Sequence, residues 1–295
     1  MGFSPNLLAD IQQMWSLPFM LNAFRAGALV ALLGGVTGWF MVTRRETFAG
    51  HTLSVVGFPG AAAAVWLGLS ASLGYYAVTV VAALVIAAIP EQVGRGGVGY
   101  GEQPALVGTV QVFALATGLL MVGLYHGFLT GLNTLLFGSV LGITVGQVLV
   151  LAVVTIAVLA VLAVIGRPLL FGSLDPQVAR TRQVPVRALD ICFLVLLAVA
   201  VAAVAQVTGA LLVFALLVLP AATAQRMSSR PAVSLPLSVL IAVLVTVVGL
   251  TAAFYTPYPV GFWLTTVAFV AYVLAAVVGA GLARLPSVRA VAVAR

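Results

Sequence analysis

Apolar residues run in long stretches along this chain, separated by short polar punctuation, and that pattern predicts membrane-crossing helices. A helix that crosses a bilayer needs about 20 predominantly apolar residues. Stretches of that kind fall at about residues 22–43, 52–70, 73–90, 104–124, 143–166, 188–206, 208–226, 233–252 and 260–283, predicting nine crossings. The seams at 70–73 and 206–208 are short enough for either pair to form one broken helix, so eight or ten crossings also fit. A transmembrane barrel would show short segments alternating apolar and polar positions, whereas runs such as Val148 to Ile165 are apolar on every side. The predicted fold is all-α: a polytopic helical bundle in which residues 1–295 form one membrane domain.

Arginine punctuates the connections in alternation. Arg44 and Arg45 are followed by an arginine-free connection, then Arg95, another free one, and then Arg167, Arg180, Arg182 and Arg187. Arg226 with Arg230, and Arg284, Arg289 and Arg295, continue the pattern, so nine crossings place 12 of the 13 on one side, with Arg25 the exception. Positive residues mark the cytoplasmic side, which puts the N-terminus outside and the C-terminus in the cytoplasm. The net charge of +7 is therefore topological rather than a nucleic-acid footprint.

Composition agrees: 63% of residues are hydrophobic and only 6% charged, against about a quarter charged in soluble domains. The single cysteine, Cys192, excludes an internal disulfide or a cysteine-based metal cluster. Residues 1–20 lack a basic start and a small-residue cleavage site, and read as a short interfacial amphipathic segment rather than a removable signal.

The longest connection on the arginine side is the polar segment 167–190. Within it, Ser173 or Asp175 is placed to cap a short helix whose first position is Pro176, with Arg180 and Arg182 toward its end. Such a helix, exposing Leu174 and Val178, suits docking to a cytoplasmic ATPase; a capped connector is the plainer alternative. Residues 127–146 are apolar but glycine-rich, and fit a re-entrant element or broken helix with Gly138, Gly142 and Gly146 on one packing face. Gly34, Gly35 and Gly38 give a second small-residue face, and Pro220 interrupts the hydrogen-bond ladder of a span near its cytoplasmic end, a candidate kink for gating.

Ionisable residues at membrane depth usually mark transport pathways, and here they are scarce: His51 opens the second span and His126 lies at an outer end. His51 is either a transient contact for cargo or an interfacial histidine. No phosphate-binding loop, paired carboxylates or nucleophile elbow is present, so the chain has no catalytic machinery and binds no cofactor of its own. The glycines of segment 94–104 lack a preceding strand and the Lys-Ser/Thr of a nucleotide loop, and read as a flexible loop.

Three stretches resemble the ABC-3 family of permeases: residues 43–62 (TRRETFAGHTLSVVGFPGAA), 173–190 (SLDPQVARTRQVPVRALD) and 206–226 (QVTGALLVFALLVLPAATAQR). LLFGSVLGIT at 135–144 adds a fourth, so the likeness runs in order over about residues 20–285. The resemblance implies the membrane subunit of a bacterial zinc, manganese or iron importer with a type II importer-like bundle. It implies a second permease chain, expected to be an identical copy, and a cytoplasmic ABC ATPase that carries the ATP. It further implies an extracytoplasmic metal-binding protein, and a plasma-membrane location in contact with lipid and not nucleic acid.

One departure stands out. The family's second span commonly carries an Asp with a His four residues later; here those positions are His51 and Val55. The identity of the ion, and whether the cargo is a bare ion or a chelate, stays open. An ion-coupled secondary transporter is the other class to weigh, and it would want carboxylates inside the spans, where this sequence places none.

Overall fold

A computed structural model describes residues 14–88, 102–124, 138 and 140–283, and among these the regular structure is entirely helical. The long helices are α1 (Pro18–Thr43), α2 (Thr47–Trp66), α3 (Ala71–Ala88), α4 (Glu102–Leu124) and α5 (Val145–Leu174). A short helix α6 (Pro176–Thr181) follows, then α7 (Val186–Thr208), α8 (Ala210–Met227), α9 (Pro231–Tyr255) and α10 (Val260–Ala283). Seven are long and apolar enough to span a bilayer by length and composition; α4 and α8 carry the shorter apolar stretches Val107–Met121 and Leu212–Met227.

Contacts between side chains set the direction of each helix. Along α1, Asn22 bonds the Ile143 carbonyl at 3.4 Å, Gly166 lies beside Phe40, and Arg44 reaches Ser173, so α5 runs parallel to α1. Ser234 accepts from Trp39 Nε1 at 3.0 Å, Ser238 donates to the Gly35 carbonyl at 2.8 Å, and Thr246 packs near Gly27, so α9 runs antiparallel to α1. Gln225 at the end of α8 donates to the Trp39 carbonyl at 3.2 Å and to Thr43 Oγ1 at 2.9 Å. Arg44, Arg45, Arg182, Arg187, Arg226 and Arg230 thus share one end of the bundle, and Arg25 lies in the opposite half of α1. Arg95, Arg284, Arg289 and Arg295 lie outside the described residues.

Both short seams are hairpins rather than broken helices. At the end of α2, Gly68 adopts φ 74°, while Leu69 N–H bonds the Ala64 carbonyl at 2.8 Å and Gly68 N–H bonds Val65 at 3.1 Å. This is a Schellman motif, in which a left-handed residue lets the chain close the last turn. Between α7 and α8 a single residue, Gly209 at φ 85°, makes the reversal. Gly138, also at positive φ, lies against the backbone of Thr208 and Gly209, where a Cβ would not fit.

The same motif recurs twice at the arginine end with non-glycine residues in the left-handed position. Arg45 (φ 61°) ends α1 and Gln183 (φ 55°) ends α6, with Glu46 N–H on the Met41 carbonyl at 2.9 Å and Val184 N–H on Ala179 at 3.1 Å.

Helix α7 occupies the centre. Ala198, Ala200, Ala202 and Ala205 are fully buried, and these small side chains let α1, α2, α3, α5 and α8 approach it. α5 and α10 bury little, exposing Leu149, Ile156, Val164, Phe269 and Leu274 outward as an apolar belt.

Three sequence expectations change. α5 runs through Pro168 to Leu174, 30 residues or about 45 Å against a hydrocarbon layer of about 30 Å, so most of segment 167–190 is helix. Gly138, Gly142 and Gly146 do not share one helical face. Gly142 ends a 3-10 turn, Val140–Gly142, and Gly146 belongs to α5, which starts from a capping box of Thr144 and Gln147. α1 already begins at Pro18, and residues 1–13 of the expected interfacial segment lie outside the described residues, as do segment 127–137, His126 and most of segment 94–104.

Candidate functional site

Two places on the bundle gather the residues singled out by sequence, and both belong to its arginine-rich half. The first is a pocket of about 170 Å³ lined by Thr47, Phe48, His51 and Phe214. His51 sits in the second turn of α2, half-buried, with its ring edge-on to Phe214 at 5.1 Å between centroids. Phe48 and Phe214 are 42% and 37% exposed, so the pocket opens on the perimeter of the bundle.

Behind His51, α4 runs parallel to α2 and supplies Gln111. Its Nε2 is 3.4 Å from His51 Nε2, and its Oε1 accepts a hydrogen bond from Thr52 Oγ1 at 3.1 Å. With the amide oxygen turned to Thr52, the NH₂ group faces His51 Nε2, which then accepts, leaving the ring proton on Nδ1. Nδ1 is buried and has no hydrogen-bond partner among the described residues. Val55, one turn further on, is buried and apolar.

The donors here are one imidazole, one amide and two hydroxyls, all neutral. Among the described residues no three His, Cys, Asp or Glu side chains cluster closely enough to hold a metal ion. The described lining therefore lacks the ligand set of a resident metal site.

The second place is the junction of α5 and α6. Asp175 Oδ1 accepts from Val178 N–H at 3.0 Å, so Asp175 caps α6 with Pro176 as its first residue. Ser173 does not cap it; its Oγ donates to the Leu169 carbonyl at 2.6 Å and accepts from Arg44 at 3.0 Å, which turns it inward. Leu174 and Val178 face outward at 68% and 43% exposure, and Arg182 is exposed beyond the helix end, while Arg180 lies within α6.

Beneath this junction lies an arginine that sequence patterning passes over. Arg44, with its side chain only 6% accessible, pairs with both Glu46 and Asp190, and stands 5.0 Å over the Phe193 ring. Burial alone would lower its pKa; the charges of Glu46 and Asp190 outweigh that and hold it above its ordinary value. Pro220 is buried inside α8, which continues through it to Met227.

Gln111 was legible as an uncharged hydrogen-bonding side chain within an apolar span, a pattern that marks interhelical contacts. Phe48, Phe214 and the Arg44–Asp190 pair carry no such signal, because the residues that meet are far apart in sequence.

Among the described residues, nine long apolar helices running parallel and antiparallel to one another, with one short helix at the arginine-rich end, define a polytopic membrane protein. The model of the ABC 3 transport family matches residues 16–279, and the chain belongs to that family. It is 27% identical over 245 residues to the "Manganese transport system membrane protein MntC" of Halalkalibacterium halodurans, covering 83% of this chain and 82% of that one. It is 25% identical over 237 residues to the "High-affinity zinc uptake system membrane protein ZnuB" of Haemophilus influenzae, covering 80% and 88%. Its fold matches that of PsaBC from Streptococcus pneumoniae, solved in complex with Fab, with a TM-score of 0.80 at 23% identity over 92% of this chain and 95% of that one.

Proposed function

We propose that the chain is the membrane permease of an ATP-driven importer for divalent transition metal ions, zinc, manganese or iron, and that separate cytoplasmic ATPases drive it through α6. The observation that carries this reading is α6 itself: an Asp175-capped helix that exposes Leu174 and Val178 at the arginine-rich end of the bundle. Exposed apolar residues on a short rigid helix outside the spans suit a protein groove. The relatives named for manganese and zinc transport support the class of cargo.

By the positive-inside rule the arginine end faces the cytoplasm of a bacterial plasma membrane, with the N-terminus outside and the C-terminus inside. ATP binds the partner ATPase, since the chain has no phosphate-binding loop. An extracytoplasmic metal-binding protein delivers the ion at the opposite face. A second, identical permease chain covers the His51 pocket, because a histidine and a glutamine opening on the bundle perimeter would be costly against lipid. Alternating access follows when each partner binds one of two arrangements of the core more tightly.

The four acidic residues within the described segments, Glu46, Glu102, Asp175 and Asp190, all stand at or near helix ends. That placement disfavours an ion-coupled secondary transporter, which relays charge through carboxylates at mid-depth.

The test is reconstitution of the permease with its ATPase and binding protein in proteoliposomes, followed by uptake of Mn²⁺, Zn²⁺ and Fe²⁺ with and without ATP. ATP-dependent accumulation of one ion is expected. Asp175→Arg, which removes the α6 cap and reverses its charge, is expected to cut uptake; unchanged ATP-driven uptake in that variant counts against α6 as the coupling element.

A further inference from the structure

Arg44 joins four pieces of the bundle at one point. Its Nε and one terminal nitrogen donate to Glu46 Oε1 at 3.1 and 2.9 Å, in the turn between α1 and α2. The same terminal nitrogen donates to Asp190 Oδ1 in the second turn of α7, and the other donates to Ser173 Oγ in the last turn of α5 at 3.0 Å. The guanidinium face rests on Phe193, one turn further along α7. Its forked donors use a geometry that lysine lacks.

Two of the elements so joined, α5 and α7, are far from Arg44 in the chain. Asp190 is 146 residues from Arg44 and Ser173 is 129 away. Yet Ser173 lies two residues before Asp175, the cap of α6, and Glu46 lies immediately before the first residue of α2, whose second turn carries His51. A chain of direct bonds therefore runs from the base of α6, through Ser173, Arg44 and Glu46, to the start of the helix that lines the pocket.

We propose that Arg44 is a positioning residue for energy coupling, the joint through which a displacement of α6 reaches α2 and the His51 pocket. This rests on the reading of α6 as the ATPase contact. A buried charge shared by two carboxylates resists separation, because parting it from either leaves charge uncompensated. The end of α5, the start of α7 and the α1–α2 turn accordingly move together.

The experiment uses the complete transporter in proteoliposomes and measures ions accumulated per ATP hydrolysed, with whichever of Mn²⁺, Zn²⁺ and Fe²⁺ the wild type accumulates. In Arg44→Gln the ratio is expected to fall about ten-fold, the size of a typical coupling between sites, while hydrolysis continues. Ser173→Ala removes the bond from Arg44, together with the side chain's local bond to the Leu169 carbonyl, and leaves no buried charge unpaired, so it keeps the fold; a smaller fall in the same ratio is expected. An unchanged ratio in Ser173→Ala and Arg44→Lys overturns the proposal, as does a fall in uptake and hydrolysis in the same proportion. If Arg44→Gln does not assemble, the ratio in Ser173→Ala decides alone. Leu174→Arg separates the two readings: if the ATPase stays bound to it, the docking role of α6 fails and the joint has nothing to transmit. If the ATPase is released from Leu174→Arg while Ser173→Ala keeps the full ratio, only the joint fails.

Discussion

Gly38 of α1 lies directly on the Leu217 carbonyl of α8, so close that a Cβ at position 38 would overlap the carbonyl oxygen. One turn earlier, Gly34 lies beside the Leu216 carbonyl. Pro220 has no N–H, so the Leu216 carbonyl four residues before it loses its helical partner, and the glycine face of α1 covers the place where that gap opens. Two features that look independent in the sequence, the glycine cluster and the proline, are one contact in space.

That contact makes Gly38→Ala a severe change for its size. The methyl group meets backbone, which cannot rotate away, so α1 and α8 must part, at a cost of about 1–3 kcal/mol or more. Gly146→Ala, where a Cβ meets no other element among the described residues, serves as the control. Thermal unfolding in detergent should show a lower midpoint for Gly38→Ala and little change for Gly146→Ala.

Pro220→Ala restores the missing donor inside α8 and lets the ladder close. The helix is expected to gain thermal stability while uptake falls, because an α8 with a complete hydrogen-bond ladder bends less readily at position 220. Equal or greater uptake in this variant takes Pro220 out of the transport cycle.

Gln183 holds a left-handed conformation that costs an L-residue about 1–2 kcal/mol. The side chain is exposed, so Gln183→Gly relieves the strain without opening a cavity. Slower amide exchange over residues 176–184 is the expected readout, with the unsubstituted chain as reference.

At the pocket, His51→Ala is expected to lower uptake without impairing assembly, which size-exclusion chromatography of the complex checks. Gln111→Leu removes the amide that orients the ring, and about a 10-fold weakening of ion transit at low ion concentration is expected, the lower end of the effect of losing an outer partner of a metal-contacting histidine. Full uptake by His51→Ala takes the residue off the cargo route and leaves Gln111 as a packing contact.

Much of the architecture was legible in the chain alone. Runs of apolar residues of the length of a bilayer define helices whatever their neighbours, and the arginines sort the connections into two sets because charge stays out of lipid. The short helix after Asp175 was legible too, because an aspartate followed by proline starts a helix through local bonds only. Segment 167–190 reads in sequence as a polar connection with a short helix from Pro176, and its first eight residues are instead the end of α5, which packs against α1.

What only the tertiary structure decided is which distant residues meet. Asp190 reads in sequence as the end of a polar segment, and Arg44 as one more basic residue at a helix end. Their pairing, the seat of Gly38 on Leu217, and Gln111 behind His51 follow from the rotation and order of the helices in the bundle. Helical periodicity specifies a face but not the partner that face will find, because in lipid every apolar face is equally content until small residues and hydrogen bonds choose its neighbour.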